Sequence, residues 1–332
     1  MKLLPPGTFT DYLRLLQDKR KCERFSLKLF LKVWGQFFSD RLGIRPRSQH
    51  ATCGICKKHK MILKRLANTR ARAGQMKEYV RHLKRTYADR VQYWQARSTS
   101  RLFFLPCGRR SFCMITDGMD RSKFKLPRSR IMTTKEFDSF SRPSLDMSAM
   151  ITHGHSCVIA ISGPRVGKGS SWVVDLFANA LHRLADQHDI RSAEVILQSD
   201  NCSKETKNNC MMHFMGMITS LKKVYRTEMR YLQTAHTHED VDQYFSAIAT
   251  HIQASPELHT PADFVRSLTN FGRDHPDVRP YEPNTIVYEV GGTRDWKSFL
   301  AIGCRNSHLK GIAGPGAPHV FAFDRAEDLP GE

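Results

Sequence analysis

The sequence predicts an α/β fold in which three antiparallel strands are followed by parallel strands with crossover helices. A basic helical region precedes this fold in the chain. Three short apolar runs separated by turns lie between about residues 111 and 162. Strand-like and helical segments then alternate up to about residue 252. At 332 residues with 40% hydrophobic content, the chain has the size and composition of about two globular domains.

The charge of the chain is concentrated near its start. Residues 1–130 contain 32 Lys and Arg against 8 Asp and Glu, whereas residues 131–332 contain 20 against 24. A basic segment of this density attracts polyanions, because neutralised phosphates release their counterions. We therefore expect a nucleic-acid partner, with DNA favoured. A solvated basic face or an acidic protein partner is the alternative.

The composition also predicts the compartment. Nine cysteines without the regular spacing of a disulfide framework favour a reduced, intracellular environment, and the nucleus if the chain acts on DNA. We expect no membrane partner, because no stretch reaches the ~18–20 apolar residues of a membrane span.

The first 101 residues form the predicted basic helical region. Apolar residues at helical spacing predict one helix over about residues 10–42, ended by Gly43 and Pro46. A second helix, rich in Lys and Arg, is predicted over about residues 61–97, with an interruption near Gly74.

A Cys-x-x-Cys pair flanked by histidines lies between these two helices. Thiolates and imidazoles are the ligands of tetrahedral Zn²⁺. We predict a structural zinc ion bound by Cys53, Cys56 and His82, with His59 or His50 as the fourth ligand. Since the chain has no second Cys-x-x-Cys, a pair of reduced cysteines or a redox pair is the alternative.

Residues 102–254 contain the predicted α/β domain. Its strand-like runs lie at about residues 111–116, 144–151, 156–162, 193–198 and 229–233. Its helical segments lie at about residues 171–186, 204–224 and 239–252. This β-β-β-α-β-α-β-α order is the one that RNase H-like nucleases use, although a different mixed sheet would give the same pattern.

Three acids stand at the ends of these elements. Asp117 follows the first strand, Asp200 follows the fourth, and Asp242 lies in the first turns of the helix after the fifth. Carboxylates at neighbouring strand ends converge, because the strands are about 5 Å apart. Oxygen ligands suit Mg²⁺ or Mn²⁺, and two such ions activate a phosphodiester for cleavage. The three acids are therefore the predicted catalytic, magnesium-binding residues.

Other acids compete for these roles. Asp120 is the alternative to Asp117, while Glu239 and Asp240 are the alternatives to Asp242. On a helical wheel of about 100° per residue, Asp242 lies nearest the buried edge, by a small margin over Asp240. Turn and surface positions would explain all three predicted acids without catalysis, since Asp-Gly and Asp-Asn are common turn sequences.

Three short motifs carry a family resemblance. They are Asp117-Gly118-Met119-Asp120, Asp200-Asn201-Cys202 with Lys207-Asn208, and His236-Thr237 with Asp242. In this order they resemble a family of uncharacterised, transposase-derived eukaryotic proteins with an RNase H-like domain, over roughly residues 49–264. Ala235 is a departure, because the family usually has Gly there.

The resemblance implies a DDD-type polynucleotidyl transferase or nuclease that acts on DNA phosphodiesters. It also implies a Cys-x-x-Cys ahead of a His. Domesticated members that have lost catalysis give the alternative, a nucleic-acid-binding protein that retains the fold and the basic region.

The remaining segments predict no chemistry. Gly163, Gly167 and Lys168 suggest a phosphate-binding loop, but one spacer residue is missing and Gly169 replaces the required Ser or Thr, so we expect an ordinary turn and no ATPase. Residues 255–310 predict a packing extension with a helix starting at Thr260. The Gly/Pro-rich residues 311–332 predict a flexible tail.

Overall fold

The computed structural model describes residues 2–4, 8–20, 26–44, 53–102, 108–119, 125–129, 141–232, 240–255, 257–274, 284–303, 309, 311–314 and 317–325. The chain divides into two units, Met1–Thr52 and Cys53–Glu332. The sequence predicted the division near residue 101 instead. It lies earlier because the long helix that ends at Leu102 packs against the sheet of the second unit.

The first unit contains two helices and two short strands. Helices α1 (Phe9–Arg20) and α2 (Leu27–Phe37) replace the single helix predicted over residues 10–42. Ser26 begins α2, because its hydroxyl accepts a hydrogen bond from the Leu29 N–H at 3.2 Å. Strands β1 (Lys2–Leu4) and β2 (Leu42–Ile44) pair in parallel.

The second unit begins with helices α3 (Gly54–Arg65) and α4 (Thr69–Leu102). Asn68 starts α4, because its side-chain oxygen accepts hydrogen bonds from the N–H groups of Arg70 and Ala71. The predicted interruption near Gly74 is wrong, and α4 is continuous over 34 residues. A glycine in an exposed helix costs only about 1 kcal/mol, which packing elsewhere along a long helix offsets.

The rest of the second unit alternates strands and helices. Its strands are β3 (Ser111–Met119), β4 (Arg128–Ser129), β5 (Asp146–Thr152), β6 (Ser156–Ser162), β7 (Glu194–Ser199), β8 (Arg226–Tyr231), β9 (Glu257–Leu258), β10 (Asn284–Val290) and β11 (Val320–Asp324). Its helices are α5 (Ser170–Gln187), α6 (Asn209–Ser220), α7 (Asp240–Ala254), α8 (Pro261–Asp274) and α9 (Trp296–Gly303).

Seven strands form one mixed sheet in the order β10-β6-β5-β3-β7-β8-β11. Strands β3, β5 and β6 are successively antiparallel, while β7 and β8 run parallel to β3. Crossover helices α5 and α6 precede the two parallel strands, as parallel connections require. The predicted mixed α/β sheet is confirmed.

Helices cover both faces of this sheet. Residues of α5 and α6 pack on one face with Phe112 and Met114 of β3. Residues of α4, α7 and α8 pack on the other face with Cys113 and Ile115. We call the second one the α7 face. Within the described ranges, no helix is both long and apolar enough to cross a membrane.

Two strands that follow the predicted α/β domain extend the sheet at its edges. Strand β10, from the predicted packing extension, pairs in parallel with β6. Strand β11 pairs antiparallel with β8, although residues 311–332 were predicted to be a flexible tail. The Gly/Pro-rich composition before β11 suggested disorder, but Phe321 and Phe323 alternate with polar or small residues and pack against the core.

Candidate functional site

Two predicted acids lie at neighbouring strands, Asp117 within β3 and Asp200 directly after β7. Strands β3 and β7 are parallel, and Ile115 pairs with Gln198. Asp117 comes two positions after Ile115, and Asp200 comes two positions after Gln198. Because side chains alternate along a strand, both carboxylates lie on the α7 face with Ile115 and Gln198. They line one small crevice there, together with Val241 of α7.

Helix α7 carries the third predicted acid, next to a residue that lines this crevice. Asp242 directly follows Val241, in the first turn of the helix. The pKa of Asp117 is raised from 3.8 to about 7, chiefly by burial; the hydrogen bond from the Gly118 N–H opposes this rise, and the charges of Asp200 and Asp242 add to it. The fold thus places Asp200 and Asp242 within electrostatic range of Asp117.

Two of the three carboxylates, those of Asp117 and Asp200, accept hydrogen bonds from the chain itself. Oδ1 of Asp200 accepts hydrogen bonds from the Cys202 N–H at 3.1 Å and the Thr206 hydroxyl at 3.2 Å. Oδ1 of Asp117 accepts from the Gly118 N–H at 2.7 Å. Among the described residues, the ligand atoms of these three acids do not all lie within 4.8 Å of one another. Their oxygen donors still fit Mg²⁺ or Mn²⁺ by chemical type.

Asp240 has a different role from Asp242. Its two carboxylate oxygens each lie 2.7 Å from a guanidinium nitrogen of Arg97, and the Tyr93 hydroxyl donates to it at 3.3 Å. Asp240 is buried, whereas Asp242 is half-buried. Of the other competing acids, Glu239 and Asp120 lie outside the described residues, as do His236 and Thr237.

Two charged residues near the acids were missed by the sequence interpretation. Glu205 contributes to raising the pKa of Asp117. Lys207 is buried, its Nζ donates to the Asn201 side chain at 3.0 Å, and it lies 4.9 Å from the centre of the Tyr231 ring. Burial lowers the pKa of Lys207. A lysine is seldom fully buried, so its place in the Asp-Asn-Cys…Lys-Asn motif was the signal available.

A Cys/His group forms a separate site at α3 and α4. Cys53 precedes α3, Cys56 lies in its first turn, and His82 faces them from α4, so that their ligand atoms all lie within 4.8 Å of one another. Burial raises the pKa of the Cys56 thiol and lowers that of His82. Two sulfurs and one imidazole are soft and borderline ligands, and this group could hold a metal such as zinc.

The predicted fourth zinc ligand is not part of this group. Nδ1 of His59 accepts a hydrogen bond from the side-chain amide of Gln75, and the His59 ring stacks on Tyr79. The centre of its ring lies 6.3 Å from that of His82. His50, the other candidate, lies outside the described residues. Sequence spacing placed the histidines near the pair, but the rotation of α3 decides which of them faces it.

The loop before α5 holds its lysine in an ion pair. Nζ of Lys168 lies 3.3 Å from the buried Asp146 carboxylate and donates to the Met147 carbonyl at 3.2 Å. A phosphate-binding lysine must extend to its ligand, whereas this amine contacts the Asp146 carboxylate and the Met147 carbonyl. The arrangement agrees with the expected strand-to-helix turn.

Helices α3 and α4 present the positive charge of the second unit. Residues 53–102 contain 14 Lys and Arg against two Asp and Glu. Four exposed cations of α4 recur at intervals of seven, four and three residues, which places them along one face of the helix. This basic row consists of Arg70, Lys77, Arg81 and Lys84.

The comparisons with known proteins assign a family but no activity. Residues 136–329, more than half of the chain, match the family described as Domain of unknown function (DUF7869). The matched region contains Asp200 and Asp242, while Asp117 and the Cys/His group precede it. Neither the curated proteins nor the solved structures gave a match. The chain belongs to the DUF7869 family.

Proposed function

We propose that the chain is a transposase-derived, metal-dependent polynucleotidyl transferase or nuclease that acts on DNA phosphodiesters. One observation carries the proposal. Asp117 lies within β3 and Asp200 directly after the adjacent parallel strand β7, and Asp242 on the covering helix is close enough for its charge to raise the pKa of Asp117. Asp117 and Asp200 also line one crevice together with Val241 of that helix.

The order of the central strands supports the same proposal. From β6 to β8 the sheet reads β6-β5-β3-β7-β8, with three antiparallel strands followed by two that are parallel to the first. This is the arrangement expected of an RNase H-like domain with β3 as its first strand. The acids then lie at the ends of the first and fourth strands and on the helix after the fifth.

Asp117, Asp200 and Asp242 would hold Mg²⁺ or Mn²⁺ in this proposal. The ions, when bound, supply positive charge that activates the attacking oxygen and stabilises the leaving oxygen of a phosphodiester. The chain orients the ligands: Gly118, Cys202 and Thr206 direct Oδ1 of Asp117 and of Asp200. A pKa of about 7 keeps Asp117 largely protonated below neutral pH, so ion binding is expected to release a proton.

The basic row and the Cys/His group complete the proposal. Exposed cations spaced along α4 fit the phosphates of a DNA backbone, which bind Lys and Arg without regard to sequence. A zinc ion held by Cys53, Cys56 and His82 would join α3 to α4 and stabilise this surface. We assign it a structural role, because the acids are the groups suited to phosphodiester chemistry.

A cleavage assay tests the proposal. The purified chain should nick supercoiled DNA in the presence of Mg²⁺ or Mn²⁺ and not in the presence of a chelator. Asp117→Asn, Asp200→Asn and Asp242→Asn should each abolish nicking. Asp186→Asn, an exposed acid at the end of α5, is the control and should nick like the wild type. Nicking that survives all three substitutions would reject the assigned acids.

A catalytically inactive DNA-binding protein is the second candidate. It is favoured by the hydrogen bonds that Asp200 already makes within the chain and by the separation of the three acids. This candidate predicts DNA binding through the basic row, no nicking with any divalent ion, and no stabilisation by Mn²⁺.

A further inference from the structure

An ion-pair network joins helix α4 to the first residue of α7. Arg97 of α4 contacts both oxygens of Asp240 at 2.7 Å, and the Tyr93 hydroxyl donates to the same carboxylate at 3.3 Å. Asp240 is the residue at which α7 begins. The contact therefore fixes the start of the helix that carries Asp242.

The network also reaches the hairpin between β5 and β6. The Tyr93 hydroxyl lies 2.8 Å from Nε2 of His153, and that nitrogen lies 3.6 Å from the Asp240 carboxylate. The Ser100 hydroxyl donates to the His153 carbonyl at 2.7 Å. Tyr93 is 1% exposed and His153 is fully buried. Asp240 thus has partners on α4 and on the sheet, and two of them, Tyr93 and His153, are fully enclosed.

We propose that Arg97 and Tyr93 are positioning residues for Asp242. They hold Asp240, which lies two residues before Asp242. Through Asp240 they set the position of the first turn of α7 along the helix axis and its rotation about that axis. The inference rests on the proposed function, because it assigns these residues to the metal-binding arrangement of the same acids. It gives Asp240 a role distinct from that of a metal ligand.

The packing of α7 does not by itself require this network. The apolar residues Val241, Phe245, Ile248 and Ile252 already bury the helix against the sheet. A buried ion pair is weak evidence for added stability, since hydrophobic residues of similar volume often serve as well. What the pair adds is a defined geometry at one end of the helix, where a change of rotation would move Asp242 away from Asp117.

Helix α4 connects this network with the basic row. The same continuous helix carries His82, the basic row and, further along, Tyr93 and Arg97. The proposed DNA-binding surface and the support of the third acid therefore belong to one rigid element. We expect the acids to keep a fixed place relative to the bound phosphate backbone.

A titration with Mn²⁺ tests the inference without the need for catalysis. Thermal melting is measured across a Mn²⁺ series for the wild type, Arg97→Lys, Tyr93→Phe and the control Arg85→Lys, an exposed cation of the same helix. Lysine keeps the charge but loses the planar guanidinium, and phenylalanine keeps the ring but loses the hydroxyl. Hydrogen exchange of the α7 amides is measured in parallel.

The expected result is a shift in the Mn²⁺ midpoint. Loss of a group bonded directly to a metal ligand typically weakens metal binding 10–100-fold; Arg97 acts on Asp242 through Asp240, so Arg97→Lys should raise the midpoint by about the lower value, tenfold. Tyr93→Phe should raise it roughly threefold, as expected for one hydrogen bond. Exchange at the start of α7 should become faster in both, and Arg85→Lys should match the wild type.

Other outcomes separate the two proposals. If the variants melt earlier in chelator but keep the wild-type Mn²⁺ midpoint, the network is merely structural and the inference is overturned while the acid site stands. If the wild type itself shows no response to Mn²⁺, the metal-dependent function fails and takes the inference with it. Should Arg97→Lys not fold, Tyr93→Phe decides alone, because it removes a single oxygen atom.

Discussion

Replacing Asp117 by Asn should stabilise the metal-free protein at alkaline pH. The carboxyl pKa rises from 3.8 to about 7 on folding, chiefly because the group is removed from water. The unfolded chain therefore loses its proton near pH 4, while the folded protein retains it up to about pH 7. Stability falls across this interval, and above it the folded protein carries the full cost of a charged Asp117.

The size of the effect follows from the shift. About three pKa units at 1.36 kcal/mol each give a ceiling of roughly 4 kcal/mol. Because Asp117 is half-buried, water screens part of the charge, and we expect roughly 2 kcal/mol at pH 8.5. Asparagine does not ionise, so Asp117→Asn should gain this amount at pH 8.5 and close to nothing at pH 4.

Urea unfolding in chelator at the two pH values measures the difference. Asp240→Asn is the matched control, since the same chemical change there breaks the ion pair with Arg97. Breaking a buried pair costs about 3–5 kcal/mol, so the control should lose stability at pH 8.5. A loss of stability in Asp117→Asn at pH 8.5, or a gain independent of pH, would refute the reasoning. Excess Mn²⁺ should stabilise the wild type and not Asp117→Asn, because only an intact site binds the ion.

Three further predictions concern other parts of the second unit. Cys53→Ser should release about one zinc ion per chain and lower the melting temperature, and metal-free wild type with an unchanged melting temperature would exclude a structural zinc. Lys77→Ala with Lys84→Ala should weaken DNA binding and reduce the salt slope by about 2, as measured by fluorescence anisotropy at several salt concentrations, whereas an unchanged slope would remove these cations from the interface. Burial lowers the pKa of His188, whose Nε2 contacts Nδ1 of His155 at 3.2 Å, so stability should fall as the pH drops below about 6.5. His188→Gln should flatten this part of the urea-measured pH profile, and a profile as steep as that of the wild type would contradict it.

The sequence predicted the sheet better than its edges. Four of the five central strands, β3, β5, β6 and β7, contain apolar runs bounded by turns, and both features depend only on local sequence. The pairing of β11 with β8 depends on Phe321 and Phe323 reaching a core built from distant residues. The residues just before β11 are rich in Gly and Pro, and their composition does not predict that contact.

Local sequence also predicted the positions of the acids only in part. Strand ends identified Asp117 and Asp200, because their position follows from the topology of the sheet. The helical wheel separated Asp242 from Asp240 by only a small margin. The distinction depends on Arg97, which lies 143 residues away from Asp240 in the chain, and no local pattern connects the two.

The Cys/His group was predicted in part from local sequence and in part not. The Cys-x-x-Cys spacing identified Cys53 and Cys56, since both sulfurs of a single turn can face one ion. His59 lies three residues after Cys56 and His82 lies 29 residues after Cys53, and only the packing of α3 against α4 shows which of them faces the pair. Gln75 holds His59 outside the group, a contact that spans the two helices.

A crystal structure of the protein soaked in Mn²⁺, with anomalous scattering recorded at the manganese edge, is the most direct test of the proposed acid site. The account predicts an anomalous peak bound by carboxylate oxygens of Asp117, Asp200 and Asp242, which close upon the ion from their separated positions. It predicts no manganese on Asp240, which should remain paired with Arg97. A peak on Asp240, or saturating Mn²⁺ with no peak between the three acids, would contradict it.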